Sequence, residues 1–179
     1  MENKTKILSI ICIAFLLLCQ CKKEAEPQLP PITTTGANTF GCKVNGRVFV
    51  PRDGNGKPGL YAQYANFNIG PGATGGWYLN IPAIDYQKSQ QDGVNIGTDS
   101  LLVTEGKTYK FKYRTKGFPT AFYANIDEFN AYETEIGELT ILKFDPIKRV
   151  LSGTFYFTGI GLNFGEKVNV TDGRFDILY

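Results

Sequence analysis

The chain has 179 residues, 42% hydrophobic, 13% aromatic and 20% charged, with 20 Gly, 9 Pro and no His. That length accommodates one domain and a tail, and 19 basic against 17 acidic side chains leave a net charge of +2, too weak a field to point to nucleic acid. Without histidine, a Ser-His-Asp triad, a Cys-His dyad, a His-ligated zinc and a haem histidine are excluded.

Lys4 and Lys6 precede an apolar run over residues 7–19, interrupted by Ser9. Thirteen residues suit a signal-peptide hydrophobic region and fall short of the roughly 20 that a membrane-spanning helix needs. The run is apolar on every side, whereas a core helix would be amphipathic. Its exit, Leu18-Cys19-Gln20-Cys21-Lys22-Lys23, resembles a bacterial lipoprotein signal. In such signals a cysteine after a leucine-rich stretch is acylated, palmitate included, and becomes the first mature residue. Cys21 fits that role, with Leu18 three positions before it; Gln20 departs from the small residue favoured there. Each buried acyl CH₂ contributes about 0.8 kcal/mol, so several chains on one sulfur hold a protein at the bilayer. Cys12 and Cys19 would leave with the leader and Cys21 would be acylated, so Cys42 has no partner for a disulfide. The rival is an ordinary secretory cut that leaves Cys21 free to pair with Cys42. Residues 22–38, KKEAEPQLPPITTTGAN, have linker composition and would reach roughly 50 Å if largely extended. The charges of Lys22, Lys23, Glu24 and Glu26 fit either a surface-export signal or a solvated linker beside headgroups.

From Thr39 to the end the pattern has period two, punctuated by Gly, Pro and Asx, with no helical stripe. Phe40, Cys42 and Val44 alternate up to Asn45-Gly46, a tight-hairpin signal before Val48. A strand is predicted over 61–69, ended by Gly70-Pro71-Gly72. Trp77, Leu79 and Ile81 share a face of the next strand, which Pro82 is expected to end. Over 108–114, Tyr109, Phe111 and Tyr113 oppose Lys110, Lys112 and Arg114. Strands over 121–126 and 138–144 follow, and then Leu151, Gly153, Phe155 and Phe157 oppose Ser152, Thr154, Tyr156 and Thr158. Phe175, Ile177 and Tyr179 close the series. Eight to ten half-buried strands predict an all-β antiparallel β-sandwich, with a small closed β-barrel as the alternative. The expected organisation is a signal peptide over 1–20, a lipid-anchored flexible tether over 21–38 and a β-sandwich domain over 39–179.

The segments Gly137-Glu138-Leu139-Thr140-Ile141, Val150-Leu151-Ser152-Gly153-Thr154-Phe155-Tyr156-Phe157 and Val170-Thr171-Asp172-Gly173-Arg174-Phe175-Asp176 occur in that order. With the Phe40–Phe49 segment and the leader, they resemble a family of uncharacterised Bacteroidetes-type lipoproteins, catalogued as a domain of unknown function. The resemblance covers most of residues 39–179. It implies an envelope address and an all-β fold, and it supplies no activity.

Five bases lie between Lys107 and Lys116 without an acid among them. With Lys110, Lys112 and Arg114 on one strand face, they offer a polyanion site, such as lipopolysaccharide phosphates. A solvated face opposite the acids Asp127, Glu128, Glu133, Glu135 and Glu138 is the stronger reading, because cross-strand pairs of opposite charge contribute roughly 0.2–1 kcal/mol each. Those acids also admit a glycosidase pair, although nothing places two of them in an apolar pocket. Asp53-Gly54-Asn55-Gly56 begins like a calcium loop but meets Lys57 where another oxygen is needed, so it reads as a turn. Asp92, Asn95 and Asp99 would offer calcium oxygens if their segment folded back. Trp77 reads as core by its area, which leaves Tyr78 as the exposed ring of a ligand face, with Tyr61, Tyr64 and Tyr86 near in sequence.

The expectation is therefore a lipid-anchored outer-membrane lipoprotein, periplasmic or surface-facing, serving as a non-catalytic binding module rather than an enzyme. Its expected membrane link is Cys21 and its expected ligand face comprises Tyr78, Lys110, Lys112 and Arg114, for a glycan or another envelope component. No metal, cofactor or nucleic-acid partner is expected. The alternative is a carboxylate-dependent glycan hydrolase.

Overall fold

A computed structural model describes residues 27–67, 75–88, 91–125, 130–161 and 165–179. The leader, Cys21, the first part of the tether, Ile69, Gly70-Pro71-Gly72, Asp127 and Glu128 lie outside the described residues. Ten strands are present among those described: β1 (Thr39–Val44), β2 (Arg47–Phe49), β3 (Gln63–Phe67), β4 (Gly76–Asp85), β5 (Asp92–Asp99), β6 (Thr108–Lys110), β7 (Phe118–Asn125), β8 (Asn130–Asp145), β9 (Val150–Gly161) and β10 (Lys167–Leu178). They form one antiparallel sheet in the order β2-β1-β10-β9-β8-β7-β5-β4-β3, with β6 paired to β8. The sheet curls into a half-barrel. The all-β class, the antiparallel pairing and the strand number follow the sequence pattern. A single curled sheet in place of two stacked ones combines features of the expected sandwich and its barrel alternative.

Period-two alternation builds the core. Leu79, Ile81 and Ala83 of β4, Val94 and Ile96 of β5, Leu139 and Ile141 of β8 and Phe155 and Phe157 of β9 all belong to one buried cluster. Their neighbours along each strand face outward. Asn45 and Gly46 turn β1 into β2 with φ of 48° and 81°, the left-handed pair that a two-residue hairpin requires. In the β9–β10 ladder, Gly153 pairs with Phe175 and Gly173 with Phe155, so each ring lies over the opposing glycine. A Cβ on Gly153 would approach Phe175 Cζ to 2.8 Å.

Pro82 does not end β4. It pairs with Asn95 inside the β4–β5 ladder, and its carbonyl accepts from the Tyr61 N–H on the other edge at 3.1 Å. The proton-less nitrogen of Pro82 therefore faces the irregular edge, where no ladder bond is lost. That edge is covered by the chain leaving β2. Arg52 N–H donates to Ile84, Tyr86 N–H to Arg52 and Ile84 N–H to Gly59. Residues 52–61 thus carry the chain from one end of the sheet order along the other end, forming a seam. The strand expected over 108–114 is cut to β6, because Arg114 adopts φ 44° in a turn; the alternation of buried Tyr109 and Phe111 with exposed Lys110 and Lys112 survives.

Residues 33–37, read as tether from composition, lie against β10. Asp176, 1% exposed, accepts from Thr33 Oγ1 (2.7 Å), Thr35 N–H (2.9 Å), Gly36 N–H (2.8 Å) and Ala37 N–H (3.2 Å). Among the described residues no helix is long and apolar enough to cross a membrane.

Candidate functional site

The outer face of the sheet gathers several of the residues singled out by sequence. Lys110 stands opposite Glu138, and Thr108 opposite Thr140, in the β6–β8 ladder. Glu138 is in turn opposite Tyr156 of β9. The basic and acidic stretches are therefore adjacent, but among the described residues no ion pair joins them. Glu138 beside the Tyr156 hydroxyl, and Glu133 beside that of Tyr113, each raise the phenol's pKa. Three of the five bases lie on rings instead: Lys112 Nζ is 4.0 Å from the Phe118 centroid, Lys107 Nζ 4.9 Å from Tyr109 and Arg114 Cζ 5.0 Å from Tyr113. Cation–π contact of this kind contributes about 0.5–1 kcal/mol at exposed sites, comparable to the cross-strand pairs it replaces. Glu135 pairs with Lys167 at 3.2 Å, outside the basic stretch.

Tyr78 is half-buried, with its ring edge-on to Phe67 at 5.8 Å. Trp77 is on the core side, stacked on Tyr64 at 4.9 Å, as its area suggests. Tyr64 accepts from Val103 N–H and donates to Leu101 O; burial pushes its hydroxyl up to about 12. On β9 the outer face exposes Tyr156, 50% accessible, flanked by Thr154 and Thr158. The signal was present in the sequence as one large aromatic on the polar side of a Thr-rich strand. Beside it a cleft of about 320 Å³ is lined by Ile32, Glu138, Thr140, Thr154, Tyr156, Asp172 and Arg174, with Phe155 and Gly173 beneath.

A second polar cluster occupies the seam. Asp85 and Asp92 face each other across β4 and β5, 2% and 3% exposed. Arg52 grips Asp85 through Nε and Nη2, both at 2.9 Å. Asp92 accepts from Arg47 Nη2 and Lys88 Nζ, each at 2.8 Å, and from the Tyr123 hydroxyl at 3.3 Å. Burial raises the Asp85 pKa, and the Arg52 bonds, the Gln87 N–H and the charges of Arg52 and Lys88 more than offset it, leaving the carboxyl below its usual value. Cys42, fully buried on β1, has its thiol pushed up by burial first and by Asp92 second, an unreactive setting.

The calcium readings resolve on geometry. Asn55 and Gly56 form a left-handed turn closed by Gly54 N–H to Lys57 O and Lys57 N–H to Gly54 O, while Asp53 accepts from Gly59 N–H at 2.7 Å. Asp92, Asn95 and Asp99 lie along the extended strand β5 with Asp92 turned inward, so their oxygens do not converge. Among the described residues no group of three or more acids or cysteines is placed to hold a metal.

Fold and site together define an all-β half-barrel with a polar, aromatic outer face. No family model, no curated protein and no solved structure matches the chain.

Proposed function

We propose that this chain is a lipid-anchored lipoprotein of the bacterial outer membrane whose β domain is a non-catalytic binding module. The observation that carries the reading is the 13-residue apolar run ending beside Cys21, ahead of a spacer and one β domain. The resemblance of the leader and of the Gly137–Ile141, Val150–Phe157 and Val170–Asp176 segments to Bacteroidetes-type lipoproteins accords with it. The carboxylates support a binding role over a hydrolytic one. The buried acids Asp85, Asp92 and Asp176 are each committed to hydrogen bonds within the fold, whereas a glycosidase acid sits free in an apolar cleft. The buried acids serve the fold, and the outer face has the mixed aromatic, hydroxyl and charged character of a recognition surface.

Cells fed a palmitate analogue test the anchor. The wild-type chain is expected to carry label and to fractionate with membranes, and Cys21→Ser to carry none and to become soluble. A Cys21→Ser protein that stays with membranes without added lipid would overturn the reading.

A further inference from the structure

We propose that the cleft between Tyr156 and Arg174 is a saccharide-binding site for a neutral pyranose chain. The inference deepens the binding-module reading and rests on it. Tyr156 is 50% exposed and stands directly opposite Glu138 in the β8–β9 ladder. Its ring is therefore presented beside that carboxylate from a paired strand before any ligand arrives, which lowers the ordering cost of binding. A flat ring with a negative π-face matches the C–H face of a pyranose, and Thr140 and Thr154 give a low hydroxyl-bearing floor beside it.

Donors and acceptors alternate around that ring. The Glu138 carboxylate has more lone pairs than the Tyr156 hydroxyl can use, so it can accept from vicinal sugar hydroxyls. Arg174 commits Nε to Asp172 O at 3.1 Å and Nη1 to Pro30 O at 3.4 Å, so its fork is oriented while further N–H donors are left over. The charges nearly cancel: Lys110 stands opposite Glu138, Asp172 pairs with Lys43 at 2.9 Å, and Arg174 is the one cation in excess. A site with two acids at its lining and several hydroxyl-matching groups suits a neutral polyol better than a polyanion.

The far wall is preformed as well. Ile32 belongs to the N-terminal segment whose next residue, Thr33, bonds to Asp176. The cleft volume of about 320 Å³ lies at the small end of ligand pockets, which fits one or two sugar rings rather than a folded partner.

Titration calorimetry of the mature chain from Cys21, in a sugar-free detergent, would use malto-, cello-, manno- and xylohexaose as probes, with dextran sulfate as the anionic control. At least one neutral hexasaccharide is expected to bind with a Kd on the order of 0.1–1 mM. Tyr156→Ala should weaken it about tenfold or more, and Tyr156→Phe, which keeps the ring and loses the hydroxyl beside Glu138, about threefold. Lys112→Ala should leave it unchanged. No neutral hexasaccharide binding to the wild type at about 10 mM, or a folded Tyr156→Ala protein that binds like wild type, would overturn the proposal. Dextran sulfate binding abolished by Lys112→Ala, without neutral binding, would overturn the sugar site and leave a binding module standing. Hydrolysis of a bound hexasaccharide would instead overturn the non-catalytic reading.

Discussion

Two regions bury carboxylates, and they satisfy them by opposite means. At the seam, Asp85 and Asp92 stand directly opposite one another, an arrangement in which like charges repel, and Arg47, Arg52 and Lys88 gather around them. At the N-terminal segment, Asp176 is as deeply buried, yet its partners are backbone N–H groups and threonine hydroxyls. The contrast shows two ways of tying distant chain together. Cations on long stems reach across the sheet's two ends and tolerate small shifts. An N–H cradle demands one backbone conformation, and it fixes that conformation for residues 33–37.

Removing a seam carboxylate should have the largest effect, because it leaves charges whose partner is gone. Asp92→Ala strips Arg47, Lys88 and Tyr123 of an acceptor. Breaking a buried pair costs about 3–5 kcal/mol, and Arg47, 56% exposed, regains water, so a loss of about 3 kcal/mol is expected in urea unfolding. Asp176→Ala is expected to cost less, about 2 kcal/mol, since its orphaned donors swing into solvent as the segment lifts. The comparison is sharpened by limited proteolysis: cleavage near Thr33 should accelerate in Asp176→Ala and stay slow in Asp92→Ala. If both variants are cleaved alike there, the segment depends on the whole fold rather than on its cradle.

Acid should weaken both regions, since Asp85 and Asp176 are both held below their ordinary pKa, and at the N-terminal segment the loss can be read by cleavage. Burial raises the Asp176 pKa, and the bonds from Thr33, Thr35, Gly36 and Ala37 more than offset it, holding the carboxyl below its ordinary value. A depressed carboxylate contributes stability that is fully present above the unfolded value near 3.9 and is lost as pH falls through the folded one. Cleavage near Thr33 is therefore expected to rise on acidification below about pH 4, and to lose that pH dependence in Asp176→Asn. The Asn variant presents an amide donor to N–H donors, so its segment should already be loosened at neutral pH. A wild-type segment indifferent to acid would show that the cradle does not need the charge.

The strands were legible because one face of each is buried, so composition alternates wherever the sheet does. The hairpin at Asn45-Gly46 was legible because backbone geometry there admits few residues. Pro82 misled, since its effect depends on which edge its nitrogen faces, and that edge is filled by residues 59–61. The seam was hidden: Arg47 and Asp92 are 45 positions apart, and each alone looks like an ordinary charged residue. Asp176 alternates with Phe175 and Ile177 like any solvated position, while Thr33-Thr34-Thr35-Gly36 reads as linker because small polar residues suit both a free chain and an N–H cradle. At the outer face, the alternation placed Lys110 and Lys112 correctly. It could not show that rings, not acids, would hold the cations, because side-chain direction is set by neighbours such as Phe118 from another strand.

The smallest effect should come from an acid four residues away from Asp176 on the same strand. Asp172 carries an ion pair with Lys43 at 2.9 Å, shorter than two of the bonds to Asp176, but the Lys43 and Asp172 side chains are 39% and 48% exposed. Water already solvates both charges, and holding two long side chains together costs rotamer freedom, so Lys43→Ala is expected to change stability by less than about 0.5 kcal/mol. Half-molar salt should erase even that, whereas it should leave the Asp176 cradle, which has no cation to screen, in place. A Lys43→Ala loss near that of Asp176→Ala would mean that distance, not exclusion of water, governs these carboxylates, and the contrast between seam and cradle would no longer hold.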